Sequence, residues 1–310
     1  MMFALVEKRR LYFAISAVLI LTGLLSMIYS LIATGSPVQV SIDFTGGALL
    51  EVAFERAVPL EDLRATLQEA GLDDVSAQTI GDDKQVVIRT KEIGVAQKEA
   101  LLDELRQTYG PVTERRFESV GPSIGRETTR AALLALLAAS VAILAFIAFA
   151  FRRVPNSLRY GVCAIAKMLH DVLFLLGFTS LMGVLFGWEV DALILTAVFT
   201  VIGFSLQDVI VVFDRIRENI PRRRGEDYET IVNRSLLETL HRSLTTQLNA
   251  IFVMIAIILF GGATTRNFMV TMLVGMVMGT FSSLFFAVPL LVVWEKDEWG
   301  SIFRRARASA

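Results

Sequence analysis

A chain of 310 residues that is 54% hydrophobic, with a mean hydropathy of +0.57, carries more apolar surface than a water-soluble globular domain tolerates. Its formal net charge of −1 hides 30 basic and 31 acidic residues that are segregated along the chain. One cysteine, Cys163, rules out an intrachain disulfide, and with only two histidines no metal site is expected.

Six stretches are long and apolar enough to cross about 30 Å of hydrocarbon as helices rising 1.5 Å per residue. They run over 11–33, 131–151, 161–187, 192–213, 236–262 and 268–294. Strands of a membrane barrel would be shorter and alternating, so a helical bundle is expected. The first stretch is too long for an ordinary secretory h-region and lacks a small-x-small cleavage site, so it reads as an uncleaved anchor.

Basic residues set the expected orientation. Lys8, Arg9, Arg10, Arg152, Arg153, Arg159, Arg215, Arg217, Arg222, Arg223, Arg224, Lys296, Arg304, Arg305 and Arg307 all fall on one side. The opposite short loops carry only Arg266. Both termini are therefore expected in the cytoplasm, and the polar stretch 34–129, with 17 acidic and 10 basic residues, outside.

That stretch alternates its periodicities. A strand at 48–54 precedes helical spacing at 60–70 and a hairpin of 75–80 with 85–89 across Gly81-Asp82-Asp83. A second helix at 95–109, ended by Gly110-Pro111, and a strand at 112–120 follow. The order β-α-β-β-α-β is that of a ferredoxin-like sandwich. The expected fold class is thus a polytopic α-helical membrane protein of six transmembrane helices with one small α+β ferredoxin-like external (periplasmic) domain. Its parts are 1–33, the domain at 34–129, the remaining spans at 130–294 and a tail at 295–310. The charged segment 214–235 is expected as a cytoplasmic loop, facing anionic lipid or docking a partner.

Charges inside the spans carry most weight, since each costs roughly 2.5–3.5 kcal/mol at mid-span. Asp208 is the only charge in 192–213, beside a stripe of Thr196, Thr200, Gly203 and Gln207 that is expected to face the bundle interior or a water path. It is a proton-carrying carboxylate, or a member of a static ion pair or buried hydrogen bond. Arg242, at a similar estimated depth, is its expected counter-charge, or an arginine snorkelling to the interface. His170 and Asp171 sit near the middle of the third stretch. Lys167 can neutralise Asp171 at i,i+4, and a proton or water pathway is the alternative. Gly275, Gly279, Ser283 and Ala287 recur every four residues and predict a helix–helix contact, within this chain or with another subunit. No phosphate-cradling loop, nucleophile elbow or zinc-protease motif occurs, and Asp171 and Asp208 lack the setting of an intramembrane aspartyl protease, so no enzyme is expected.

Asp43-Phe44-Thr45-Gly46-Gly47 resembles the opening of the external domain in SecD and SecF proteins, and the run from Val120 to Glu127 resembles a second external motif. The run from Val201 to Asn219, with Thr239-Leu240-His241-Arg242, Leu259-Phe260-Gly261-Gly262 and His170-Asp171, is similar to SecF rather than SecD. Gln207 stands where the family usually has Asn, and Lys167 has no assignable family role.

The resemblance implies half of a transporter of the resistance-nodulation-division type in a bacterial cytoplasmic membrane. Its implied partners are a separate SecD-like subunit, the SecYEG channel, the translocating preprotein and membrane lipid, with no nucleic acid. It implies no cofactor, protons as the coupling ion, and Asp208 and Arg242 in proton passage. The competing reading is half of a proton-driven exporter of small molecules or lipids. A passive scaffold would leave Asp208 unexplained.

Overall fold

The computed structural model describes residues 5–72, 75–79, 84–150, 157–223 and 225–298. The expected turn Gly81-Asp82-Asp83, and Arg152, Arg153, Arg224, Arg304, Arg305 and Arg307, lie outside them. Val40–Leu134 with Glu189–Ala192 forms one compact unit, and the rest of the described chain forms another.

The α/β unit opens with a short helix, α2 (Ile42–Thr45), followed by β1 (Gly47–Phe54), α3 (Leu60–Glu69), β2 (Ser76–Thr79), β3 (Gln85–Thr90), α4 (Val95–Tyr109) and β4 (Val112–Val120). The sheet order β2-β3-β1-β4, antiparallel throughout, is the ferredoxin-like arrangement expected from the sequence. Alternation along β1 sends Leu50, Val52 and Phe54 against Leu63 and Leu67 of α3 and Leu101, Leu102 and Leu105 of α4. A register shift between Glu51 and Val52 carries β1 past β4.

Among the described residues six helices are long and apolar enough to cross a membrane, and the chain is a multi-pass membrane protein. They are α1 (Arg9–Thr34), α5 (Pro122–Ala150), α6 (Ser157–Phe186), α7 (Ala192–Arg222), α8 (Tyr228–Phe260), and α9 (Ala263–Ser282) continued through a π-helical turn at Ser283–Ala287 into α10 (Val288–Glu295). The π turn is where the chain prepares for Pro289, which has no N–H for a helical bond and whose ring crowds the preceding turn.

The helices outrun the apolar stretches. α5 starts at Pro122, a residue suited to the first helical position. The charged segment expected as a loop over 214–235 is mostly helix, with only 223–227 between α7 and α8. Its charges satisfy one another within and across this antiparallel pair. Arg215 bonds Glu218 at 2.8 Å and Glu238 at 2.6 Å, Arg217 bonds Asp214 at 2.6 Å, and Asn219 donates to Ser235 at 2.9 Å. Low hydropathy therefore marked the membrane edge and not the helix end.

α1 packs on α6 at a point where glycine meets glycine. A Cβ on Gly177 would lie 2.5 Å from the Gly23 Cα, and one on Gly23 would lie 2.8 Å from the Gly177 Cα. Such backbone-to-backbone approach supplies the close packing that drives helix association in lipid. Gly177→Leu should cost about 1–3 kcal/mol through overpacking and lower the thermal unfolding midpoint in detergent. An unchanged midpoint would show that α1 and α6 are held together elsewhere.

Candidate functional site

α6 carries Lys167, His170 and Asp171 on adjacent turns, and all three are buried, Lys167 completely. The Lys167 ammonium donates to Asp171 Oδ2 at 2.7 Å. Ser205 Oγ of α7 donates to the same oxygen at 2.6 Å, and His170 Nδ1 lies 3.2 Å from the other one. The His170 ring stacks on Phe286 with centroids 4.6 Å apart, and its Nε2 is buried with no hydrogen bond. Asp171 thus has an ammonium, a hydroxyl and an imidazole around one carboxylate, the degree of pairing a buried charge requires.

One turn along α7 from Ser205, Asp208 is 6% exposed. Gln247 Nε2 of α8 donates to its Oδ2 at 2.6 Å, and the Gln247 Oε1 is buried without a partner. Among the described residues Asp208 has no ion pair; Lys167, the cation paired with Asp171, also acts on it electrostatically. One lysine therefore serves two carboxylates. With all three groups ionised the cluster carries a net −1, and one added proton makes it neutral.

The expected Asp208–Arg242 pair does not form. Among the described residues Arg242 has no ion pair and its side chain is exposed; Thr246 Oγ1 donates to its carbonyl at 3.0 Å. The bonds Asp208–Gln247 and Asn219–Ser235 set an antiparallel register that puts Arg242 opposite Val212 or Phe213, close to the expected depth. Depth was not the difficulty. The α8 face turned to α7 carries Ser235, Thr239, Ser243 and Gln247, and Arg242 is about 100° round the helix from Ser243.

The same rotation corrects the stripe on α7. Its buried face runs through Ile194, Ala197, Val198, Val201, Ser205, Asp208 and Val212. Thr196, Gly203 and Gln207 are exposed and Thr200 is half-buried, with its hydroxyl on the Thr196 carbonyl at 2.8 Å. The stripe faces outward, not into this chain's bundle.

The small-residue stripe of the last span meets α7 within the chain. A Cβ on Gly275 would lie 2.6 Å from Val201 Cγ2, and one on Gly279 would lie 2.8 Å from Ser205 Oγ. Ser283 Oγ bonds the Ser205 carbonyl at 2.9 Å and the Gly279 carbonyl at 2.7 Å, and Ala287 is fully buried. Asp43, Phe44, Thr45, Gly46 and Gly47 belong to the α/β unit.

Neither Ser205 nor Gln247 is among the candidate residues that the sequence singles out. Ser205 was visible as the small polar residue three before Asp208, and Gln247 as the polar residue in register four after Ser243. Lys167→Met should cost about 3–5 kcal/mol, because it leaves Asp171 buried with its cation gone. Lys167→Met/Asp171→Asn should recover part of that loss. Thermal unfolding of the purified chain in detergent measures both, and a single variant as stable as the wild type would mean the pair carries no stability.

The family model described as the C-terminal part of the protein export membrane proteins SecD/SecF matches residues 100–297. A protein translocase subunit SecF of Anaerolinea thermophila is 44% identical over 100% of this chain and 99% of that relative. The SecF of Thermobaculum terrenum is 42% identical over the same shares. A crystal structure of SecDF, a translocon-associated membrane protein from Thermus thermophilus, superposes with a TM-score of 0.78 at 30% identity, covering 96% of this chain. The chain spans 39% of that SecDF chain's length, and 40% of a second SecDF structure in a super-membrane-facing form, matched at a TM-score of 0.65 and 30% identity over 97% of this chain.

Proposed function

The chain belongs to the SecF family of protein translocase subunits, and from that membership we propose that it works with a SecD subunit to convert proton movement into export of polypeptide chains. The observation that carries the proton step is the cluster of one buried lysine with two buried carboxylates, Lys167, Asp171 and Asp208. Asp171 holds the lysine directly, so Asp208, bonded to a neutral amide, is the member that gains and loses the proton. Each proton falling through 100 mV releases about 2.3 kcal/mol, enough to bias a two-state helix packing by tens-fold. Neutralising Asp208 removes one charge from a site where Ser205 already ties α7 to α6 and to the last span.

The outward polar face supports the partner. Thr196, Gly203 and Gln207 of α7, and Arg242, Thr245, Thr246 and Asn249 of α8, are exposed on membrane-spanning helices, where lipid contact is costly. A SecD subunit covering that face turns Arg242 from a lipid-exposed cation into an interface cation close to the depth of Asp208, and gives it its part in proton passage. In this reading the coupling ion is the proton, no cofactor takes part and the chain is not an enzyme. The α/β unit lies outside the cytoplasmic membrane with both termini inside, following the basic residues, and the larger assembly includes the SecYEG channel and the emerging preprotein.

Asp208→Asn keeps the shape of the side chain but cannot ionise. In vesicles holding the channel and the SecD subunit, it should assemble at wild-type abundance and lose most of the export that a proton gradient stimulates. Full stimulation in the variant would reduce Asp208 to a structural hydrogen-bonding group.

A further inference from the structure

The two motifs that resemble external signatures, 43–47 and 120–127, meet each other in the α/β unit, and the first of them also meets the start of α7. Asp43 Oδ2 accepts a hydrogen bond from the Ala192 backbone N–H at 3.0 Å, so the carboxylate sits at the partly positive start of the helix that carries Asp208. The residues just before that start are also held. Ser41 N–H donates to the Val190 carbonyl at 3.0 Å in a parallel bridge between Val40 and Val190. Glu189 forms an ion pair with Arg89 of β3 that is mostly buried, and Arg89 also donates to Gln78 of β2 at 3.3 Å.

The glycines of the first motif explain why the chain can make this joint. Gly46 has φ +73°, and a Cβ there would lie 2.8 Å from the Pro122 Cα at the start of α5. Gly47 has φ +120°, and its Cβ would lie 2.6 Å from the Thr90 carbonyl at the end of β3. Gly125 approaches from the other side, where a Cβ would lie 2.8 Å from the Phe44 carbonyl. Residues 43–47 therefore touch the end of β3, the first turn of α5 and the first residue of α7, with no room for a side chain at the crossings.

We propose that Asp43, together with the Arg89–Glu189 pair, is a latch that fixes the start of α7 to the sheet and transmits displacement of that helix to β3. It deepens the proton-coupled reading of Asp208 and rests on it. Ala192 and Asp208 lie on one continuous helix, about 24 Å apart along its axis at 1.5 Å per residue. A helix of that length moves as a rod, so repacking around Asp208 reaches Ala192. A loosely tethered loop would absorb the displacement, whereas one held by a carboxylate cap, a backbone bridge and an ion pair passes it on.

The test uses hydrogen exchange of the full chain in lipid nanodiscs, comparing each background with and without Asp208→Asn. In the wild-type background Asp208→Asn should change exchange several-fold at 85–90. Asp43→Ala/Glu189→Arg breaks both contacts and should abolish that change. Asp43→Asn/Arg89→Glu/Glu189→Arg keeps an acceptor for the Ala192 amide and reverses the ion pair, and should preserve it. The latch is overturned if the change persists in the broken variant, is lost in the reversed one, or is absent in the wild-type background. Transmission that survives while Asp208→Asn vesicles keep full gradient-stimulated export would retain the latch and discard the proton-coupled reading.

Discussion

The membrane unit is organised around one ion pair that lipid would not tolerate in the open. Lys167 is wholly buried and Asp171 nearly so, and their contact of 2.7 Å is completed by the Ser205 hydroxyl. Removing two charges from water costs several kcal/mol per ion, and their attraction offsets this only when the remaining lone pairs are also satisfied. That condition fixes α6 against α7. It also fixes which α7 residue faces inward one turn later, and that residue is Asp208.

The pair depends in turn on small residues. Ser205 reaches Asp171 while its own backbone carbonyl accepts from Ser283, which requires the last span to lie against α7 without intervening side chains. Gly279 supplies that space, since a Cβ there would strike the Ser205 hydroxyl, and Gly275 does the same at Val201. On the far side of α6, Gly177 and Gly23 bring α1 to backbone contact. The glycines and the charges are therefore one construction. The glycines set the distances at which a lysine, two carboxylates and a serine can share a buried space.

Much of this was legible in the sequence. Hydropathy and alternation gave the six crossings and the order of the ferredoxin-like domain, because both depend on local periodicity. The i,i+4 spacing of Lys167 and Asp171 already implied their contact. What periodicity could not give was the rotation of each helix about its own axis. Arg242 lies at a useful depth and Gln207 in a regular stripe, yet both face outward, because the inward faces are chosen by Ser243 and Gln247 on α8 and by Ser205 and Asp208 on α7. The segment 214–235 misled for a related reason, since residues too polar for lipid can still be helical when Arg215, Glu218, Asn219 and Glu238 bond one another. The joint at Asp43 was beyond reach, for nothing local links residue 43 to residue 192.

The central claim is that Asp208 changes its protonation state while Asp171 stays ionised. Infrared difference spectroscopy of the protein in lipid, recorded on acidification, tests it directly. The account predicts a protonated-carboxyl C=O band that appears on acidification, is missing in Asp208→Asn and survives in Arg242→Met. A spectrum in which no such band is lost with Asp208→Asn would contradict it.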